Sequence, residues 1–181
     1  MAGLQFEFCV REAALGAAEI RALLRLEAHP LEGGFYAETW RGSLEIPGAS
    51  LGAANHGPRS IGTAIYYLFT PETGSSMHRL RWDEIFHFYL GDPVEMLLLE
   101  PGREGCVATL GTDLRAGQRP QLVVTAGVWQ GARLAAGGRV ALLGTTMAPG
   151  FDPADFEHGR RTELVADWPR HSAAITALTR S

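Results

Sequence analysis

The chain has 181 residues, 46% of them hydrophobic, a mean hydropathy of -0.01 and a formal net charge of -4. That length and composition suit one globular domain with a full-sized core rather than a disordered segment, and the negative charge gives no electrostatic reason to expect nucleic acid or an anionic membrane as partner. All 16 basic residues are arginine, which excludes a Schiff-base lysine and a phosphate-binding P-loop lysine.

Cys9 and Cys106 lie far apart, without the close spacing of a zinc site, and one pair makes no disulfide framework. Reduced thiols in a cytoplasmic protein are the expectation. No apolar run approaches the length of a membrane span. The start of the chain carries Glu7 and Glu12 and no basic cluster, so it does not read as a signal peptide.

Along the chain, LQFEFCV alternates like an edge strand. AAEIRALLRLEAHP then predicts a helix over 18–27, with Ile20, Leu23 and Leu24 on its apolar side and Pro30 as the stop. After the Gly33-Gly34 turn, Phe35 to Trp40 reads as a strand. Residues 42–59 form a long glycine- and proline-rich loop containing His56, read as solvated. Residues 61–70 make a strand apolar on both faces, as in a central strand or a subunit interface. Tyr66 and Tyr67 point opposite ways along it, so one of them lines the interior.

The next stretch, Gly74 to Pro93, gathers His78, Asp83, Glu84 and His87, most of the side chains able to move protons near neutral pH. Glu84 to Leu90 reads as a strand with Glu84, Phe86 and Phe88 on one face and Ile85, His87 and Tyr89 on the other. If the first face is the core, Glu84 is a carboxylate in an aromatic setting and must be paired, protonated or bound to something.

Further strands are predicted at Val94 to Glu100, 106–110, 121–125, near Arg133 to Ala135, and at 139–146. Short strands at this regular spacing, punctuated by glycine, predict an all-β barrel or sandwich. Residues 148–161 read as a loop with Phe151 and Phe156, TELVADWP as a short alternating run, and HSAAITALTR as a closing helix with Ile175 and Leu178 on one side.

The Gly74 to Pro93 stretch also resembles the first cupin motif. His78 matches its first His, Glu84 its Glu and Gly91 its closing Gly, while Leu80 stands where the second His belongs. Thr125 to Gln130 is similar to the second motif, with Thr125 for Pro and Gln130 for His. HPLEGGFYAETWR, RSIGTAIYYL, HRLRWDEIFHFYLGDP, LGTDLRAGQRPQLVV, GVWQGA, GTTMAPGFDPADFEHGRR and ITALT, in that order, resemble the cupin-5 family, DUF985. More distantly, the chain is similar to sugar-nucleotide epimerases of the RmlC type.

The resemblance implies an all-β cupin jelly-roll barrel of two antiparallel sheets with a few short peripheral helices. It also implies a homodimer and a single domain over 1–181, in which 1–16 extends a core at 17–179. It brings His78, Glu84 and Gln130 together at the barrel mouth, with Tyr66 or Tyr67 and Trp129 as walls. A purely structural reading instead ties Glu84 to Arg79 or Arg81 and leaves His78 at the rim. Glu32, Glu38 and Arg41 either line the pocket or form surface ion pairs.

No metal and no cofactor are expected. Two of the four usual ligand positions carry Leu80 and Gln130, and His87 faces away from Glu84. Two functions from different classes fit a small-molecule ligand. One is an isomerase- or epimerase-like enzyme acting on a carbohydrate-like or other small polar metabolite, with His78 as acid or base, Glu84 orienting or protonating, and Tyr66 or Tyr67 as second proton carrier. There, and in a non-catalytic small-ligand-binding protein, Gln130, Trp129, Glu32 and Arg41 would contact the ligand.

Overall fold

The period-two stretches of the sequence become strands, and the helices pack outside them, in a computed structural model that describes residues 15–52 and 57–179. The LQFEFCV strand candidate, Cys9 and His56 lie outside the described residues. In chain order the elements begin with α1 (Ala17–Leu24), β1 (Glu27–Ala28), β2 (Phe35–Arg41), β3 (Glu45–Ile46), β4 (Arg59–Ser60) and β5 (Thr63–Phe69). They continue with β6 (Ser75–Leu80), β7 (Glu84–Gly91), β8 (Val94–Leu99), β9 (Cys106–Leu110), β10 (Gln121–Val124), β11 (Trp129–Leu134) and β12 (Ala141–Met147). β13 (Phe156–His158), α2 (Arg161–Asp167) and α3 (Ser172–Leu178) complete the order.

One large sheet has the order β1-β2-β5-β12-β7-β10 and the other β13-β6-β11-β8-β9, β3 and β4 pair with each other apart from both, and adjacent strands are antiparallel throughout. The chain passes from one sheet to the other between β5 and β6, β6 and β7, β7 and β8, β9 and β10, β10 and β11, β11 and β12, and β12 and β13. This is the winding of a jelly roll, and the expected all-β cupin architecture is the one observed. The inward faces meet in a core of Tyr67, Phe69, Phe86, Phe88 and Leu143 from the first sheet against Met96, Leu110, Ala132 and Leu134 from the second. Each buried Leu, Met or Phe side chain there contributes about 1.5–3 kcal/mol.

The outer faces are covered only in part. Ile20 of α1 and Leu26 lie over Leu68, Val140 and Leu142 of the first sheet. Leu164, Trp168, Ile175 and Leu178 of the C-terminal helical segment lie over Leu97, Leu99 and Trp129 of the second.

Several local expectations change. The first helix ends at Leu24, because Arg25 takes a left-handed conformation at φ 54° and turns Leu26 into the core. Glu27–Ala28 then pairs with β2 instead of extending the helix to Pro30. TELVADWP is helical because Leu164 and Trp168, four residues apart, bury the same side. β11 starts at Trp129 rather than near Arg133, and the loop after Met147 contains strand β13.

That loop is fastened by a buried ion pair. Arg59 donates to Asp155 from Nε at 2.6 Å and from Nη2 at 3.1 Å, and Trp82 Nε1 donates to Asp155 at 3.1 Å. Burial pushes the Asp155 carboxyl up, but the Arg59 and Trp82 donors outweigh it and hold it below its ordinary range. Removing one member of such a pair leaves an uncompensated buried charge. Asp155→Ala should therefore lower the unfolding free energy at neutral pH by about 3 kcal/mol, measured by urea denaturation. The wild-type contribution should fade as pH falls through the depressed pKa.

Candidate functional site

Strand alternation delivers three polar side chains to one end of the space between the sheets, and a turn adds a fourth. Glu84 opens β7 pointing inward, with Met147 and Val124 as cross-strand neighbours. His78 on β6 lies directly across from Gln130 on β11. Glu32 comes from the turn before β2, where the backbone N–H of Ser76 donates to the Glu32 carbonyl at 3.0 Å. All four are buried: His78 is 0% exposed, Gln130 2%, Glu84 5% and Glu32 6%.

Gln130 Nε2 donates to Glu84 Oε2 at 2.8 Å and lies 3.2 Å from His78 Nε2. His78 Nδ1 is 2.8 Å from the Ser76 carbonyl oxygen. A carbonyl only accepts, so Nδ1 carries the hydrogen and Nε2 accepts the second N–H of the Gln130 amide. The same Nε2 is 3.8 Å from Glu32 Oε1. Glu32 Oε2 accepts from Ser75 Oγ at 2.9 Å and from the Tyr67 hydroxyl at 3.0 Å, with the Gly33 carbonyl oxygen competing for the Tyr67 hydrogen at 2.9 Å. The Phe156 ring stacks on His78 with centroids 5.0 Å apart and closes it from the loop side.

Two carboxylates therefore share one buried site, and their surroundings push them apart. Burial and the Glu32 charge push the Glu84 carboxyl up to about 7, against the pull of His78, Thr145 and Gln130. For Glu32 burial also acts upward, but His78, His29 and the Ser75 and Tyr67 hydroxyls together hold it below its ordinary value. Burial, reinforced by the Glu32 charge, raises the Tyr67 phenol well above its ordinary value, so it stays a donor.

In front of the carboxylates lies a cavity of about 220 Å³. Its walls include His29, Glu32, Tyr36, Arg41, Glu84 and Thr145, with Ile65, Met147, Phe151 and Pro153 as apolar surface. His78, Gln130 and Tyr67 stand behind the two carboxylates and are not part of the wall.

The sequence-derived set divides accordingly. His78, Glu84, Gln130, Tyr67 and Glu32 come together. His78 is neither at the mouth nor at the rim but walled in. Arg41 reaches the cavity, though its guanidinium is held by Glu38 at 3.0 and 2.7 Å and by the Phe151 carbonyl oxygen at 3.3 Å.

Two expected wall residues face away. Tyr66 lies on the outer face of β5 with its ring 6.0 Å from Tyr89. Trp129 precedes the inward Gln130 and so points outward, into the cluster under α2 and α3 and below the Arg79 guanidinium. Arg79 pairs with Glu157 rather than with Glu84. His87 is on the face opposite Glu84, as expected, bonded to the Thr146 hydroxyl at 3.1 Å.

His29 and Thr145 complete the wall unanticipated. The HPLEGG stretch contains His29, but no periodicity marks a turn residue as inward. Thr145 follows from alternation along β12 once the register against Glu84 is known.

The residues at the cupin ligand positions do not fit a transition metal. Leu80 has no donor atom, and Gln130 offers only a neutral amide oxygen, buried without a hydrogen-bond partner among the described residues, which is a weak ligand for such a metal. Among the described residues, no group of three or more His, Cys, Asp or Glu side chains is arranged to hold a metal ion.

A raised carboxyl pKa is a stability statement with a definite sign. Glu84 binds its proton more tightly folded than unfolded, so its contribution is fully present below about pH 4.5 and is lost as pH rises through about 7. Glu84→Gln keeps the neutral shape and removes the titration. Wild-type unfolding free energy should fall relative to Glu84→Gln between about pH 5 and pH 8, each tenfold difference in proton affinity being worth roughly 1.4 kcal/mol, measured by chemical denaturation across that range.

The profile of the family described as Cupin superfamily (DUF985) matches residues 18–159. A protein of Shewanella oneidensis with a crystal structure is 32% identical over 92% of this chain and 98% of its own, with a TM-score of 0.80. A hypothetical protein from Leishmania major is 28% identical over 92% of this chain and 100% of its own, with a TM-score of 0.81. No curated protein matches. With a family profile spanning most of the chain and the jelly roll in place, this protein belongs to the Cupin superfamily (DUF985) family.

Proposed function

We propose that the cavity binds a small, uncharged polar metabolite of carbohydrate-like kind and transfers protons on it without a metal, as an isomerase or epimerase does. The observation that carries this reading is the pair of cavity carboxylates with opposite protonation tendencies, Glu32 ionised and Glu84 acidic near neutrality. Sites whose titratable groups are driven apart in this way supply a base and an acid at one pH. His78 and Gln130 then position the carboxylates from behind rather than touching substrate.

Charge and size narrow the ligand. The wall carries the Glu32 charge, while Arg41 is already neutralised by Glu38. A phosphate or carboxylate entering here meets repulsion, with no uncommitted guanidinium among the described wall residues to meet it. A cavity of about 220 Å³ is below the roughly 300–1,000 Å³ of drug-sized sites. Both points favour an unphosphorylated monosaccharide or smaller hydroxycarbonyl over a nucleotide sugar.

One observation favours the non-catalytic alternative. Tyr67, the expected second proton carrier, gives its hydroxyl to Glu32 and Gly33 and not to the cavity. In that reading Glu32, Glu84 and Thr145 only hydrogen-bond the ligand.

Binding is tested by thermal shift with neutral pentoses, hexoses and trioses beside their phosphates. A neutral compound should raise the melting temperature, with at least about tenfold weaker binding in Glu32→Gln, the scale of one lost charge-assisted hydrogen bond. A response to the phosphates alone would refute the reading.

A homodimer belongs to the same proposal, as does a cytoplasmic location. The outer face of the first sheet leaves Trp40 50%, Tyr89 49% and Val123 49% exposed, more aromatic surface than a face turned to water normally carries. Sedimentation at micromolar concentration should give a dimer, and Trp40→Glu should shift it toward monomer. A wild-type monomer would end the proposal.

A further inference from the structure

We infer that Tyr36 is a catalytic hydrogen-bond donor of this cavity: its phenol O–H binds the carbonyl oxygen of a small hydroxycarbonyl compound while Glu32 removes the proton from the adjacent carbon. This rests on the acid/base reading above and gives it a reaction class, proton abstraction α to a carbonyl.

Two tyrosines stand side by side at this end, and their hydroxyls are used differently. Tyr36 on β2 lies directly across from Tyr67 on β5, and residues opposite each other in an antiparallel pair share a face of the sheet. Tyr67 is 1% exposed and gives its hydroxyl to Glu32 at 3.0 Å or to the Gly33 carbonyl oxygen at 2.9 Å. Tyr36 is only partly buried and belongs to the cavity wall. Its hydroxyl makes no hydrogen bond to any described residue. A phenol withdrawn from water ordinarily finds a partner, and at Tyr36 the cavity is where that partner enters.

The donor is held in place before any ligand arrives. The Tyr36 ring packs on the core between the sheets and meets the His29 ring edge-on, with centroids 4.5 Å apart. Tyr67 flanks the same His29 ring at 5.5 Å. The turn that carries Glu32 closes tightly against these rings. Gly34, at φ 69°, is its last residue before β2, and a Cβ there would lie 2.8 Å from the Tyr67 ring. A donor fixed in this way costs no reorganisation when charge develops on the substrate.

Other polar groups of the wall are already engaged. Arg41 is held by Glu38 and the Phe151 carbonyl oxygen, the Thr145 hydroxyl bonds Glu84, and the Thr63 hydroxyl accepts the Phe151 N–H at 3.0 Å. A cavity of about 220 Å³ is filled by one small molecule, so a compound that touches Glu32 touches the Tyr36 wall as well.

In the step itself, Glu32 takes the α-proton, the C–H electron pair becomes a carbon–carbon double bond, and the carbonyl π pair moves onto oxygen, where the Tyr36 O–H stabilises it. Returning a proton to carbon reverses these electron shifts. From Glu32 this restores the substrate, and from the Glu84 carboxylic acid on another wall it inverts the carbon. No oxidant or co-reactant is consumed.

The test uses hydroxyacetone, dihydroxyacetone and D-glyceraldehyde in D2O, with loss of the α-hydrogen signal followed by proton NMR. Tyr36→Phe removes the hydroxyl and keeps the ring. Exchange should fall at least about 100-fold, the scale of one lost oxyanion donor. The melting temperature should stay within about 2 °C of wild type, because the lost hydroxyl bonds nothing among the described residues. Tyr67→Phe, which takes a donor from Glu32, should melt lower. Wild-type exchange in Tyr36→Phe would overturn the inference. So would a melting temperature lowered as far as in Tyr67→Phe, which would give the Tyr36 hydroxyl a structural role.

Should Tyr36→Phe fail to fold, 3-fluorotyrosine placed at position 36 decides instead. Its fluorine resonance should move when dihydroxyacetone is added; an unmoved resonance, with the compound still raising the melting temperature, would overturn the assignment. Wild-type protein that is stabilised by these compounds but exchanges none of them would sink the Tyr36 step and leave the binding reading standing. Neither stabilisation nor exchange would remove both.

Discussion

Two carboxylates placed within reach of one imidazole, out of contact with bulk water, are the constraint that organises this end of the jelly roll. Burying one ionised carboxylate costs several kcal/mol unless donors surround it, and burying two invites mutual repulsion as well. The protein treats the two differently. Against the cost of burial, Glu32 has His78 and His29 beside it and the Ser75 and Tyr67 hydroxyls donating to it, and together they hold its carboxyl below the ordinary value. Glu84 has the Gln130 amide and the Thr145 hydroxyl and meets the field of Glu32, so it holds its proton to about pH 7. The difference is built into the neighbours, not into the carboxyl groups.

Much of the surrounding architecture keeps these neighbours in place. Gln130 can reach both Glu84 and His78 only because β11 lies beside β6 with Gln130 directly across from His78, and the register between the strands shifts immediately after that pair. Ser76 does two jobs for the same site: its N–H holds the Glu32 backbone and its carbonyl fixes the His78 tautomer. The Arg59–Asp155 pair fastens the segment that brings Phe151 and Pro153 over the cavity and Phe156 onto His78. Loosening that distant pair would therefore affect the site through the loop, without touching a carboxylate.

What the sequence made legible follows the same physics. Glu84 was readable because it begins a strand whose next inward residues are Phe86 and Phe88, and a period of two leaves no choice of face. Gln130 and Trp129 were harder, since GVWQGA carries glycine at both ends and reads as a connection. Without a strand there is no alternation to separate the inward amide from the outward indole. Tyr66 and Tyr67 illustrate the limit from the other side: alternation says they diverge, but a strand apolar on both faces does not say which face holds the site. Glu32 and His29 lie on a turn, where position depends on glycine dihedrals. None of this leaves a periodic trace in the sequence.

The replacement of imidazoles by Leu80 and Gln130 also reads differently once the geometry is known. A metal would neutralise both carboxylates at once and make their pKa values fall together. Gln130 does something a metal cannot: it offers an N–H to Glu84 and another to His78, and so links two groups while leaving each its own protonation. Leu80 is buried at 4% exposure and supplies no donor atom. The departures from the metal-binding cupin pattern are thus chemically consistent with each other. Each removes a metal ligand, and what remains at Gln130 is a neutral link between Glu84 and His78 that leaves the two carboxylates free to differ in protonation.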